Sequence, residues 1–252
     1  MKIIQIVGRS NTGKTTFIKN LIPALSAHGT VGAVKHVGHH GYRLEPGKDT
    51  TIYHEAHAAL STGVDSEKSV LIRRENDLDS TLETLCNMGI EYAVIEGFKT
   101  RPFPRIVIGD LESENVVLRN PSSVEEVIAA LPSFEDYYTI EGLVRDLKRE
   151  HDLAHAGAIL TFNGIVREWS GTEHTEYLEF DETVDAVTES IGQEMEAVPG
   201  IIGVRFHHRK GRLYAGEDIT YLAILAEHRQ EAFAAASNAI DRLKRELHDA
   251  EK

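Results

Sequence analysis

Gly8-Arg9-Ser10-Asn11-Thr12-Gly13-Lys14-Thr15 lies between an apolar run over 3–7 and a stretch over 14–27 whose apolar residues Phe17, Ile18, Leu21 and Leu25 recur at helical spacing. It fits G-x-x-x-x-G-K-[ST] in the order that motif needs: strand, glycine loop, helix. Backbone N–H groups and the positive end of the helix then cradle a phosphate. Gly8 and Gly13 let the backbone wrap the anion, Lys14 brings a cation to the outer phosphates, and the Thr15 hydroxyl can bind Mg²⁺. The predicted nucleotide-binding set is Gly8, Asn11, Thr12, Gly13, Lys14, Thr15 and Thr16.

Outward from the loop the pattern repeats. A run over 30–37, a helical stretch over 50–60, a run over 69–72, a helix over 78–88 and strands over 92–95 and 105–108 lead to a helix over 122–131. Strands alternating with helices predict an α/β domain with a mostly parallel sheet covered on both faces. The polar break Pro132-Ser133-Phe134-Glu135-Asp136 marks a boundary, dividing the chain into 1–136 and 137–252. Beyond it the pattern predicts helices over 140–150, 184–197 and 229–248 and strands over 157–167, 175–180, 204–208 and 218–226. That order describes an α+β domain with a largely antiparallel sheet.

Composition narrows the function classes. With 252 residues, 41% apolar and 27% charged, the chain has the profile of a water-soluble globular protein. No apolar run approaches the roughly 20 residues that cross a bilayer, and the glycine loop arrives too early for a secretion signal, so a cytoplasmic location is expected. Twenty-seven basic and 40 acidic side chains give a net charge of -13: 14 minus 18 over 1–136 and 13 minus 22 over 137–252. Such acidity repels a phosphate backbone and argues against nucleic acid as a partner. Cys86 is the single cysteine, so any sulfur chemistry needs an outside donor.

A metal-bound nucleotide also needs a carboxylate at the end of a neighbouring strand, and Glu96 in Tyr92-Ala93-Val94-Ile95-Glu96-Gly97 is the candidate. Asp49 is a second one, equally readable as a helix N-cap. His36, His39, His40, His54 and His57 leave a transition-metal site conceivable, although Lys35 and Arg43 nearby favour anion contact. Nothing in the spacing selects the nucleotide base.

Over residues 1 to about 135, GRSNTGKTT, KHVGHHG, PGKDT and IEGFK together resemble the MobB family of molybdopterin-guanine dinucleotide biosynthesis adaptors. That resemblance implies a dimeric GTP-binding domain with weak GTPase activity that assists a MobA-like nucleotidyltransferase. By position it carries phosphate and Mg²⁺ binding onto Gly13, Lys14 and Thr15, and the metal-side carboxylate onto Glu96; Asp49 falls in the family's own motif.

In the acidic second domain the retained cations are candidates for an anionic ligand. Arg167 ends a strand, Arg209 sits in His208-Arg209-Lys210-Gly211-Arg212, and His228-Arg229 opens the last helix, where backbone amides and the dipole favour phosphate. Taken singly, Arg209 and Arg229 read as well as surface arginines balancing nearby acids. On that helix Phe233, Ala236, Ile240, Leu243 and Leu247 form the expected buried stripe, with Lys244 on its margin. There it is either a partly dehydrated base or nucleophile, or the partner of Asp241 with a snorkelling stem.

GAILTFNGIVRE, HHRKGRLYAGED, LAEHRQEAF and AIDRLKRE, in that order, resemble the MoaE family, the catalytic subunit of molybdopterin synthase. The resemblance implies a hammerhead α+β fold and conversion of precursor Z, a cyclic pyranopterin monophosphate, into molybdopterin. The sulfur comes from the C-terminal thiocarboxylate of a MoaD-like ubiquitin-fold carrier. It assigns substrate binding to Arg167, His228, Arg229 and, more weakly, Arg209, with His228 and Arg229 reaching across a homodimer interface. Catalysis falls to Lys244 and to the late Lys252, although the chain reads RELHDAEK where the family has a Pro, an aromatic residue and a second lysine. The rival expectations are a nucleotide-switched pterin- or partner-binding protein without turnover and a metal-delivery NTPase.

Overall fold

The computed structural model describes residues 1–38 and 41–250, apart from the side chains of 173 and 248–250. His39, His40 and Lys252 therefore lie outside the described residues. The chain forms two compact units, Met1–Tyr137 and Tyr138–Lys252.

The first unit is built on β1 (Lys2–Gly8), whose five central residues Ile3, Ile4, Gln5, Ile6 and Val7 are fully buried. Around it stand β2 (Val31–Lys35), β5 (Tyr92–Glu96), β6 (Arg105–Ile108) and β7 (Val116–Arg119), in the order β2-β5-β1-β6-β7 and all parallel. Alternation along β1 sends Ile4 and Ile6 to one face, against Ile18, Leu21 and Leu25 of α1 (Lys14–Ser26) and Val127 of α4 (Val124–Ala129). Ile3 goes to the other face, against Leu78 and Leu82 of α3 (Leu78–Asn87). The doubly covered parallel sheet expected from the strand and helix alternation is present.

Between β2 and α3 the structure departs from the expected pattern. The helix over 50–60 stops early, as α2 (Asp49–Glu55), because His57 turns the chain with a φ of 70°. Leu60 belongs instead to β3 (Leu60–Val64), which pairs antiparallel with β4 (Ser69–Arg73). The expected run over 69–72 is thus a hairpin strand outside the main sheet. Its turn is fixed by the Asp65 carboxylate, which accepts 2.8 Å bonds from the Glu67 and Lys68 amides and is thereby held below the usual carboxylate range.

In the second unit β14 (Asp218–Ala226) runs antiparallel between β12 (Ile201–His208) and β8 (Ala158–Ile165). One face packs on α6 (Thr183–Glu196) and α7 (Arg229–Ala250), the other on α5 (Ile140–Glu150). Thr139 caps α5 by accepting from the Gly142 amide at 3.0 Å. Short pairs of β9 (Trp169–Ser170) with β10 (Glu173–His174) and of β11 (Tyr177–Phe180) with β13 (Gly211–Tyr214) complete the unit.

The buried stripe of α7 is the expected one except at Phe233: Leu243 is buried in the core, and Ala236, Ile240 and Leu247 pack against it half-buried. It also runs through Ala232, Ala235 and Ala239, while Phe233 is 61% exposed. Three alanines let the helix lie close to the sheet, beside the larger Ile240, Leu243 and Leu247 of the same face. Among the described residues no helix is long and apolar enough to cross a membrane.

Candidate nucleotide site and candidate active site

The glycine loop leaves β1 where it touches β6. A Cβ on Gly8 would meet the Ile108 carbonyl oxygen at 2.3 Å, so only glycine fits beside that backbone. Gly13 then opens α1 at φ 90° with no side-chain cap, and Asn11 takes a left-handed conformation at φ 62°. The first amides of α1 keep their outward polarity, with no acidic residue in the first turn to neutralise it. The Thr12 hydroxyl donates to the Arg9 carbonyl at 2.9 Å, and Lys14 Nζ curls back to the same oxygen at 2.6 Å. The ammonium thus lies over the loop.

Because β5 is the neighbour of β1, its last residue emerges beside the loop. The Thr15 hydroxyl donates to a Glu96 carboxylate oxygen at 3.2 Å, and Lys35 Nζ lies 3.2 Å from that same oxygen. Two hard oxygen donors, one of them anionic, meet at the start of α1, a set that suits Mg²⁺. Behind Glu96 the chain turns through Gly97 at φ 100° and Phe98 at φ 49°. Gln5, buried in the sheet, holds this turn with its amide donating to the Gly97 and Phe98 carbonyls at 2.8 Å each. His36 stacks on Phe98 with ring centroids 4.6 Å apart.

Asp49 is not the N-cap of its helix. The cap position of α2 is Lys48, and Asp49 stands in the first turn, exposed, where its charge complements the helix dipole. Among the described residues it makes no hydrogen bond or ion pair with Thr15 or Glu96. The described histidines likewise form no cluster: among the described residues, no three His, Cys, Asp or Glu side chains converge as metal ligands.

In the second unit a cavity of about 640 Å³ opens between the end of β8, β11 and the last turns of α7. Arg167 and Lys244 both line it, exposed and, among the described residues, without an ion pair. Arg167 leaves from a fixed point: the Val166 amide donates to the Glu217 carbonyl at 2.9 Å and the Val166 carbonyl accepts from Gly216 at 2.8 Å. Lys244 is neither sunk in the core nor bound to Asp241, so its ammonium keeps its hydration on the cavity rim.

Two expected groups are elsewhere. Arg209 donates to the Asp218 carbonyl at 2.8 Å and pairs with Glu217 at 3.5 Å, and it is not a cavity residue. Strand parity explains this: His208 faces Thr220 in register and shares its side of the sheet, whereas the next residue turns to the opposite side. His228 and Arg229 stand at the far end of α7. Fifteen residues of helix separate Arg229 from Lys244, about 22 Å at 1.5 Å per residue, so one protomer cannot bring both to one small ligand. The residue that the sequence reading left out of the site is His208, a buried cavity wall whose burial pushes its imidazolium below the ordinary range.

Comparisons with known proteins follow the same division. Residues 3–131 match the family model of MobB, molybdopterin guanine dinucleotide synthesis protein B, and residues 137–246 match that of the MoaE protein. A probable molybdopterin synthase of Haloferax volcanii is 37% identical over 183 residues, 69% of this chain and 69% of the relative. A probable molybdopterin-guanine dinucleotide biosynthesis adapter protein of Bacillus subtilis is 38% identical over 110 residues, 42% of this chain and 64% of the relative. A molybdopterin synthase catalytic subunit of Staphylococcus carnosus is 39% identical over 94 residues, 36% of this chain and 62% of the relative.

Proposed function

Because the chain belongs to the MobB family through its first unit and to the MoaE family through its second, we propose that it joins two steps of molybdenum cofactor biosynthesis. The second unit is a synthase that converts precursor Z into molybdopterin with sulfur from a thiocarboxylated MoaD-like carrier. The first binds GTP with Mg²⁺, hydrolyses it weakly, and assists a MobA-like nucleotidyltransferase in forming the guanine dinucleotide.

The observation that carries the synthase reading is the meeting of Arg167 and Lys244 at one mostly apolar cavity. Its volume, about 640 Å³, suits a ligand of pterin size. Unpaired cations at the rim of such a cavity favour an anion, and both a pterin phosphate and a thiocarboxylate tail are anionic. Arg167 holds and orients the phosphate. Lys244, at the rim, carries the acid–base or covalent step where the carrier's tail meets the pterin.

His228 and Arg229, too far along α7 to serve the same cavity, complete the site of a second protomer in a homodimer. In the first unit Gly13, Lys14 and Thr15 hold the phosphates, and Thr15 with Glu96 holds the Mg²⁺. When bound, the metal neutralises charge on the outer phosphates.

The test is to mix the purified chain with precursor Z and thiocarboxylated carrier and to quantify molybdopterin as its fluorescent oxidised derivative. Product above a Lys244→Ala control is expected. A chain that binds the carrier and precursor Z but forms no product refutes the synthase and leaves a pterin- and partner-binding module.

A further inference from the structure

His208 lines the same cavity as Arg167 and Lys244 but, unlike them, is almost wholly buried, keeping 2% of its surface. Its protonation pattern is set by its contacts. Nδ1 lies 2.8 Å from the Arg209 carbonyl oxygen, which can only accept, so the ring proton belongs on Nδ1 and Nε2 carries the lone pair. Among the described residues no hydrogen bond engages Nε2, and this nitrogen is not sealed off, so the small surface His208 retains includes it.

The ring is also held in orientation. Phe180, another wall of the cavity, meets it edge-on with centroids 4.5 Å apart and planes at 69°. Burial disfavours the imidazolium; the Arg209 carbonyl and Asp185 work the other way but do not offset it. Asp185 is itself engaged by Lys210 at 2.6 Å. The neutral ring therefore offers an acceptor with no proton of its own at Nε2, in a wall that holds apolar side chains such as Phe162 and Leu243 together with the polar side chains of Asn163, Ser170, Thr175 and Thr220.

The polar groups of the cavity differ in kind: Asn163, Ser170, Thr175 and Thr220 can both donate and accept, while three others do only one of the two. Arg167 and Lys244 offer only donors and suit the anionic part of a ligand. His208 offers an acceptor and suits a ligand N–H. We propose that His208 is a substrate-binding residue of this cavity, accepting at Nε2 a hydrogen bond from a ring N–H of the pterin whose phosphate the cations hold. The inference rests on the reading of the cavity as a pterin site and adds which edge of the substrate is read. In a dehydrated cavity such a bond is strengthened, and losing it leaves a buried N–H unpaired.

The experiment uses the full chain with His208→Leu and His208→Gln, since a glutamine side chain can present an acceptor near the position of Nε2. Binding of precursor Z is followed by calorimetry, and turnover with the thiocarboxylated carrier in parallel. Leu is expected to raise Kd and KM about tenfold, with a smaller effect on kcat, and Gln to recover most of the loss. Inorganic phosphate, which engages only the cations, should bind wild type and His208→Leu alike.

Should the leucine chain fail to fold, His208→Asn takes its place, because asparagine reaches the position of Nδ1 but not that of Nε2. Unchanged precursor binding in the leucine or asparagine chain, or a glutamine chain as impaired as either, overturns the proposal. A wild-type chain that binds precursor Z without turning it over defeats the synthase reading and leaves this one intact. One that does not bind it overturns both.

Discussion

Replacing Glu96 with Gln removes one negative charge and almost nothing else. The carboxylate accepts from Thr15 at 3.2 Å, a bond that the glutamine carbonyl oxygen can keep, and it pairs with Lys35 at 3.2 Å, an ammonium that is 57% exposed. Without nucleotide the loss is that half-exposed ion pair, up to about 1 kcal/mol, which shifts the melting temperature by no more than a few degrees. With nucleotide and Mg²⁺ the same change removes the anionic member of the metal's oxygen set. Metal-site changes of this kind cost roughly 10–100-fold in affinity, or about 1.4–2.7 kcal/mol.

The sign without metal is opposite. A carboxylate beside the triphosphate repels it, so in EDTA the Glu96→Gln chain should bind GTP as well as wild type or slightly better. Calorimetric titration of both chains with GTP, once with Mg²⁺ and once with EDTA, separates the two effects. Equal Mg²⁺-dependent affinities, or a loss of the same size in EDTA, would refute the placement of the metal at Glu96.

Other outcomes follow from the same geometry. Lys14→Ala should abolish GTP binding by calorimetry while the melting temperature stays within a few degrees, since among the described residues its side chain bonds only to a loop carbonyl. Gly97→Ala places a Cβ 2.8 Å from that of His36 at a φ of 100°, and should cost about 1–3 kcal/mol in denaturant unfolding of the first unit. Leu82→Ala, in a fully buried position under the sheet, should cost roughly 2–5 kcal/mol in the same assay. Lys244→Ala and Arg229→Ala chains, each inactive alone, should recover part of the synthase activity when mixed and reassembled; no recovery would exclude a site shared between protomers. Since His208 is neutral when folded and more easily protonated when unfolded, its contribution to stability is full above its ordinary value of 6.5 and is lost as the pH falls through its lowered folded value. His208→Gln should therefore flatten the acid limb of the stability profile relative to wild type.

The fold class was legible because each βα step of the first unit carries its own punctuation: apolar strand, glycine or polar turn, periodic helix. The hairpin of β3 and β4 was not. His54-Glu55-Ala56-His57-Ala58-Ala59 favours helix locally, and Leu60-Ser61-Thr62-Gly63-Val64 lacks the apolar alternation of a half-buried strand. For the site, Thr15 and Glu96 were readable because sheet order in such folds brings strand ends together. The choice within His207-His208-Arg209 was not readable, because it depends on which residue faces Thr220 across β14, and a shift of one residue would exchange the two sides. The stripe of α7 was legible at Ala236, Ile240, Leu243 and Leu247 and misjudged at Phe233 alone, whose size suggested burial on a side that Ala232, Ala235 and Ala239 fill.

The central position of β1 has a consequence for synthesis. The strand is made well before its hydrogen-bonded neighbours β5 and β6, the nearer pairing Lys2 with Tyr92. About 90 residues must be translated between partners, which at 5–20 residues per second takes roughly 5–20 s. For that interval Lys2-Ile3-Ile4-Gln5-Ile6-Val7-Gly8 is an apolar segment with unpaired edges, the type of sequence that associates with copies of itself. The carboxylate that meets Thr15 is carried on β5, so the nascent chain brings Thr15 and Glu96 together only when that strand docks. If the loop takes nucleotide with Mg²⁺ as proposed, a nascent-chain trap run with Mg²⁺ would reach full signal only after Glu96 has cleared the ribosome, and nucleotide capture would time completion of the sheet.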